Sequence, residues 1–106
     1  MSRVSKVKLS RYDTADYLKT EKDIANYLDA VFEDGDPALI AYSLGVVARA
    51  RGMARIAKKA GLGRESLYKA LSEDGNPKLD TVVKITRALG FKLAVVKDPN
   101  EKARAA

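Results

Sequence analysis

Around Gly61 the chain runs small residue, turn glycine, buried aliphatic, and few folds accept that order at this spacing. Ala57 lies four residues before the glycine and Leu67 six after it, within MARIAKKAGLGRESLYKALS, residues 53–72. Two short helices joined by a tight turn need these types: a small side chain where the helices cross, a glycine free to turn left-handed, and an apolar anchor under the second helix. Met53, Ile56, Ala57 and Ala60 recur at i, i+3, i+4 and i+7, the stripe of a helix buried on one side. Gly61 ends that helix. The next runs from Arg64 to about Leu71 with Leu67, Ala70 and Leu71 turned inward. The unit is a helix-turn-helix.

Further helices flank it. Thr14–Leu18 has room for one helical turn. Thr20 is a good N-cap with Asp23 three residues on, opening a helix to about Glu33 that buries Ile24, Leu28, Val31 and Phe32. Asp36 caps the following helix and Pro37 fills its first turn, where a missing N–H costs nothing. That helix runs to about Arg51 with Ile40, Leu44 and Val47 inward. Gly45 within it costs roughly 1 kcal/mol against alanine, which points to close backbone packing. Gly75, Asn76 and Pro77 mark a loop. A last helix from about Leu79 buries Leu79, Val82, Val83, Thr86 and Leu89 before Gly90 stops it.

Beyond Gly90 the period changes to two. Phe91, Leu93 and Val95 alternate with Lys92, Ala94 and Val96, which predicts a short C-terminal β-strand. A lone strand needs a partner for its backbone groups. Val7 and Leu9 offer one in the same chain or in a second copy, and a partner protein offers another. The chain therefore divides into a basic N-terminal arm (1–11), an all-α domain of about five main helices with that strand (12–97), and a flexible tail (98–106). At 106 residues there is room for one core.

The chain contains no cysteine and no histidine, which removes disulfides, thiolate chemistry, the usual zinc sites and the commonest general base. No carboxylate pair stands apart from solvated charge, so an enzyme is the weakest class, and no cofactor or metal is expected. Neither a membrane-length apolar run nor an export signal is present, so a cytoplasmic protein is expected. The net charge of +6 is unevenly spread. Residues 1–11 carry +4, residues 12–38 carry −6, and residues 39–106 carry +8. The basic block coincides with the helix-turn-helix, as expected of a surface that meets a polyanion.

If the second helix enters a DNA major groove, its outward set is Arg64, Glu65, Tyr68 and Lys69. Arg64 suits the two acceptors of a guanine, Glu65 a cytosine amino group or Arg64 itself, and Tyr68 a phosphate or a thymine methyl. Arg55, Lys58 and Lys59, with Ser66 and Ser72 at the margins, suit phosphates, which supply affinity without sequence information. The bland reading is an ordinary solvated helix face. The acidic segment 20–34 reads equally as a solubilising face or as a functional one, either a dock for a basic partner or a negative element holding part of the chain away from DNA. Tyr12, Tyr17, Tyr27 and Tyr42 are interface anchors or core-edge residues, with core-edge expected of at least two.

Several runs carry a resemblance, in order along the chain: YLKTEKDIANYLDAVFEDGDP (17–37), DPALI (36–40), ARARGM (48–53), GRESLYKALS (63–72), GNP (75–77) and RALGFKL (87–93). Together they resemble the prophage-type addiction-module antidote proteins, HigA-like antitoxins with a lambda-repressor-like (XRE-type) helix-turn-helix. The match covers about residues 12–95. The resemblance implies a cytoplasmic antitoxin of a type II toxin–antitoxin module, dimeric on double-stranded operator DNA. Such a protein neutralises a RelE/ParE-type toxin encoded beside it and represses the shared operon. Members of that family often have serine before the reading helix where this chain has Gly63; glycine permits the turn but removes the capping hydroxyl, so a base or phosphate contact from that position is not expected. The acidic helix and the terminal strand are the candidate toxin-facing surfaces. The rival readings are a stand-alone phage-type regulator without a toxin and a helical interaction domain that never meets DNA. The neighbouring reading frame separates the first rival from an antitoxin.

Overall fold

The computed structural model describes residues 17–72 and 75–101. Five helices follow one another: α1 (Glu21–Asp34), α2 (Pro37–Arg51), α3 (Met53–Ala60), α4 (Arg64–Ala70) and α5 (Leu79–Ala88). Their starts are set by local chemistry. The Asp23 N–H donates to Thr20 Oγ1 at 3.0 Å and the Thr20 N–H donates back to Asp23 Oδ2 at 3.2 Å, a reciprocal box at the head of α1. At α2 the Ala38 N–H donates to Asp36 Oδ1 at 3.1 Å, with Pro37 in the first turn.

The core lies where α2 passes through the other helices. Leu44, Val47, Ala48, Leu67 and Ile85 are fully buried in it, and Ile24, Leu28, Ile56 and Leu71 close around them. Gly45 does allow a close approach: a Cβ there would stand 3.0 Å from the Leu71 carbonyl oxygen and 3.3 Å from Leu71 Cβ. Gly75 is tighter still, since a Cβ would meet the Ala70 carbonyl oxygen at 2.2 Å. This glycine lets the loop after α4 fold back on the helix end. Tyr27 and Tyr42 are half-buried at the core edge and Tyr17 is exposed; Tyr12 lies outside the described residues. The Tyr27 hydroxyl donates to Ser43 Oγ at 3.1 Å, tying α1 to α2 and satisfying a fully buried serine. Burial pushes the Tyr27 phenol above its usual pKa, with the nearby Tyr42 adding to the rise; the Ser43 bond and Arg49 oppose it.

Two expectations are corrected. Leu79 is 73% exposed, because as the first residue of α5 it precedes the turn that meets the core. Thr86 and Leu89 are buried as expected, Val82 and Val83 are half-buried, and Ile85 and Ala88 join the inward face. Thr86 is buried at low cost because its hydroxyl donates to the Val82 carbonyl at 2.7 Å. The C-terminal β-strand does not form among the described residues. The Phe91 N–H is taken by the Thr86 carbonyl at 3.0 Å, and no strand lies beside residues 92–97 to accept a ladder. Val7 and Leu9, the arm 1–11, most of the turn expected at 14–18, and residues 102–106 lie outside the described residues. Within 98–101 the Asn100 N–H donates to Asp98 Oδ1 at 2.8 Å, closing a turn.

Candidate nucleic-acid interface

The link between α3 and α4 is a complete glycine stop. Gly61 has φ 73°, its N–H donates to the Lys58 carbonyl at 3.1 Å, and the Leu62 N–H donates to the Ala57 carbonyl at 2.9 Å. These paired bonds satisfy the last carbonyls of α3 and swing the chain into α4 within three residues. Leu62 packs half-buried against the core and Leu67 anchors α4 from beneath. Gly63 heads α4 without any side-chain cap.

With Leu67 inward, Arg64, Glu65, Ser66, Tyr68 and Lys69 are all exposed, as the spacing predicts. The Arg64 guanidinium lies 5.7 Å from the centre of the Tyr68 ring, one helical turn along. A cation–π contact of this kind between exposed side chains is worth about 0.5–1 kcal/mol and biases where the long cation sits. Glu65 forms no ion pair with Arg64 among the described residues; the ring beside the Arg64 guanidinium is that of Tyr68. Ser72 donates its hydroxyl proton to the Lys69 carbonyl at 3.0 Å, so a phosphate would have to compete for it.

The phosphate candidates divide between two places. Lys58 is exposed on α3. Arg55 and Lys59 line a small cleft with Glu21, Arg51 and the end of α5. Within it Arg51 is paired with Glu21, which consumes that charge. Lys59 also lines a second open cleft, of 260 Å³, with Lys84 and Arg87 of α5. Positive charge therefore continues from α3 onto α5. The sequence reading missed Lys84 and Arg87, although their i, i+3 spacing on one helix was a visible signal. No helix among the described residues is long and apolar enough to cross a membrane.

Residues 8–97 match the model of a family described as probable addiction module antidote protein. The chain is also similar to an uncharacterized protein of Haemophilus influenzae, 44% identical over 87 residues that cover 82% of this chain and 90% of the relative. No solved structure matches.

Proposed function

Since this chain belongs to the family of probable addiction module antidote proteins, we propose that it is the antidote half of a type II toxin–antitoxin pair and also the DNA-binding repressor of the operon that encodes both. Membership implies a toxin partner of some kind; a RelE/ParE-type toxin is the finer reading. The helix pair α3–α4 acts as a lambda-repressor-like helix-turn-helix, with α4 in the major groove. Arg64, Glu65, Tyr68 and Lys69 read base edges, while Arg55, Lys58, Lys59 and Ser66 meet phosphates. The observation that carries this is an exposed face of Arg64, Glu65, Tyr68 and Lys69, with Arg64 in cation–π contact with Tyr68, on a helix pinned by a fully buried Leu67. A guanidinium biased toward one position on the outer face of α4 suits bidentate recognition of guanine.

Binding of the chain to the duplex upstream of its own reading frame tests the DNA half. Affinity should be high at low salt and fall steeply as salt rises, and an absence of binding at low salt contradicts the reading. Co-expression with the protein encoded beside it tests the toxin half, and growth should be restored. A chain that represses without protecting is the stand-alone regulator instead.

A further inference from the structure

After Phe91 the chain presents an apolar run bracketed by lysines, Lys92-Leu93-Ala94-Val95-Val96-Lys97. Leu93 is 40% exposed, Val96 80% and Val95 100%, an unusual concentration of aliphatic surface in four residues. The run borders an open cleft of 630 Å³ whose other wall is α1. Leu28, Phe32 and Phe91 floor it, and Asp29 and Glu33 stand in its lining. Neither carboxylate has an ion pair among the described residues, and no backbone group of 92–97 has a hydrogen bond there. The face therefore calls for an occupant with an extended backbone, alternating apolar side chains and positive charge.

We propose that the chain's own N-terminal arm is that occupant. Residues 5–10 lie along 92–97 as a second strand, and Val7 and Leu9 join Leu93 and Val95 over the cleft. The arm has each property the face calls for. Val7 and Leu9 alternate with Lys6, Lys8 and Ser10, the period of a strand. Arg3, Lys6, Lys8 and Arg11 give residues 1–11 a charge of +4 with no acid, against a wall that carries Asp29 and Glu33. The arm also starts from the right place, because Leu18 is buried in the core just ahead of α1. An extended chain from Leu9 to Tyr17 reaches ~27 Å, whereas α1 rises only ~18 Å from Glu21 to Glu33. A tether this short holds the arm at an effective concentration on the order of millimolar, above that of a separate molecule in a dilute solution. A two-stranded ribbon is marginal by itself, and here Leu28, Phe32 and Phe91 lie beneath it. The face expected from sequence to meet a toxin is then closed in the free chain, and a partner that adds a strand there displaces the arm.

The inference rests on neither the DNA nor the toxin reading, and amide hydrogen exchange of the purified full-length chain tests it. Alternate amides of 92–97 should exchange at least ~10-fold more slowly than in an unstructured chain, since a strand turns every second N–H toward its neighbour. That protection should be the same from micromolar to submillimolar concentration. Val7→Asp with Leu9→Asp should abolish it, and Val7→Ile with Leu9→Val should keep it. Helical circular dichroism should hold in both variants, because the five helices lie within 21–88. Wild-type amides that exchange at the unstructured rate overturn the proposal, as does protection that survives the two aspartates. Protection that grows with concentration would assign the face to a second copy, and protection seen only with the neighbouring protein bound would assign it to the toxin. Either result overturns the proposal equally.

Discussion

Two helices of this protein end on the same device and lead to opposite results. At Gly61 the glycine N–H returns to Lys58 and the next N–H to Ala57; at Gly90 the glycine N–H returns to Arg87 and the next N–H to Thr86. Both glycines are left-handed, at φ 73° and 96°. Both are followed by a half-buried apolar residue, Leu62 or Phe91. After Gly61 the chain meets an apolar anchor, Leu67, and folds back as α4. After Gly90 it meets none, and Val95 ends in open solvent. The stop is local and the return is not: whether a chain folds back depends on what the next apolar residue finds beneath it.

The largest test of that contrast removes the anchor. Leu67→Ala should cost ~2–5 kcal/mol in urea unfolding, because the side chain is fully buried and the surroundings relax only in part. Val95→Ala, in a chain whose arm is kept off the run by Val7→Asp and Leu9→Asp, should change stability by less than ~0.5 kcal/mol. Similar costs for the two would abolish the distinction. Next come the stops themselves. Gly61→Ala and Gly90→Ala should each cost ~1–2 kcal/mol from backbone strain, since neither added methyl has a neighbour within 4 Å. A clear inequality in thermal unfolding would show that the two stops are not equivalent.

A smaller effect concerns α1, which floors the cleft beside the second stop. Tyr27→Phe should cost about 1 kcal/mol through the lost bond to Ser43. The folded-state pKa of Tyr27 lies above the ordinary 10.0, so its contribution is complete below that pH and is lost as pH rises through the folded value. Alkaline titration of unfolding should therefore be steeper in the wild type than in Tyr27→Phe. Equal slopes would place Tyr27 outside the core edge.

Legibility in the sequence follows the same division. Thr20 with Asp23, Asp36 with Pro37, and the glycines at 61 and 90 were readable because a cap or stop is decided within a few residues. The outward set on α4 was readable too, because Leu67 fixes the helix phase. Leu79 misled because it continues the apolar stripe, although the first residue of a helix can precede the turn that meets the core. Ile85 lies three residues after Val82 and four before Leu89, within the expected stripe, although it was not named in it. The strand was read from alternation alone, yet a ladder needs a partner that the alternation does not specify. Likewise, Lys84 and Arg87 join Lys59 only through the packing of α5 on α3, a relation between distant segments.

The central claim is that α4 reads sequence while α3 supplies affinity. Arg64→Ala, measured against the promoter duplex and a scrambled duplex at one salt concentration, tests it most directly. The predicted result is a loss of ~1–3 kcal/mol on the promoter with little change on the scramble, whereas Lys58→Ala weakens both alike. Equal losses on both duplexes for Arg64→Ala would contradict the claim.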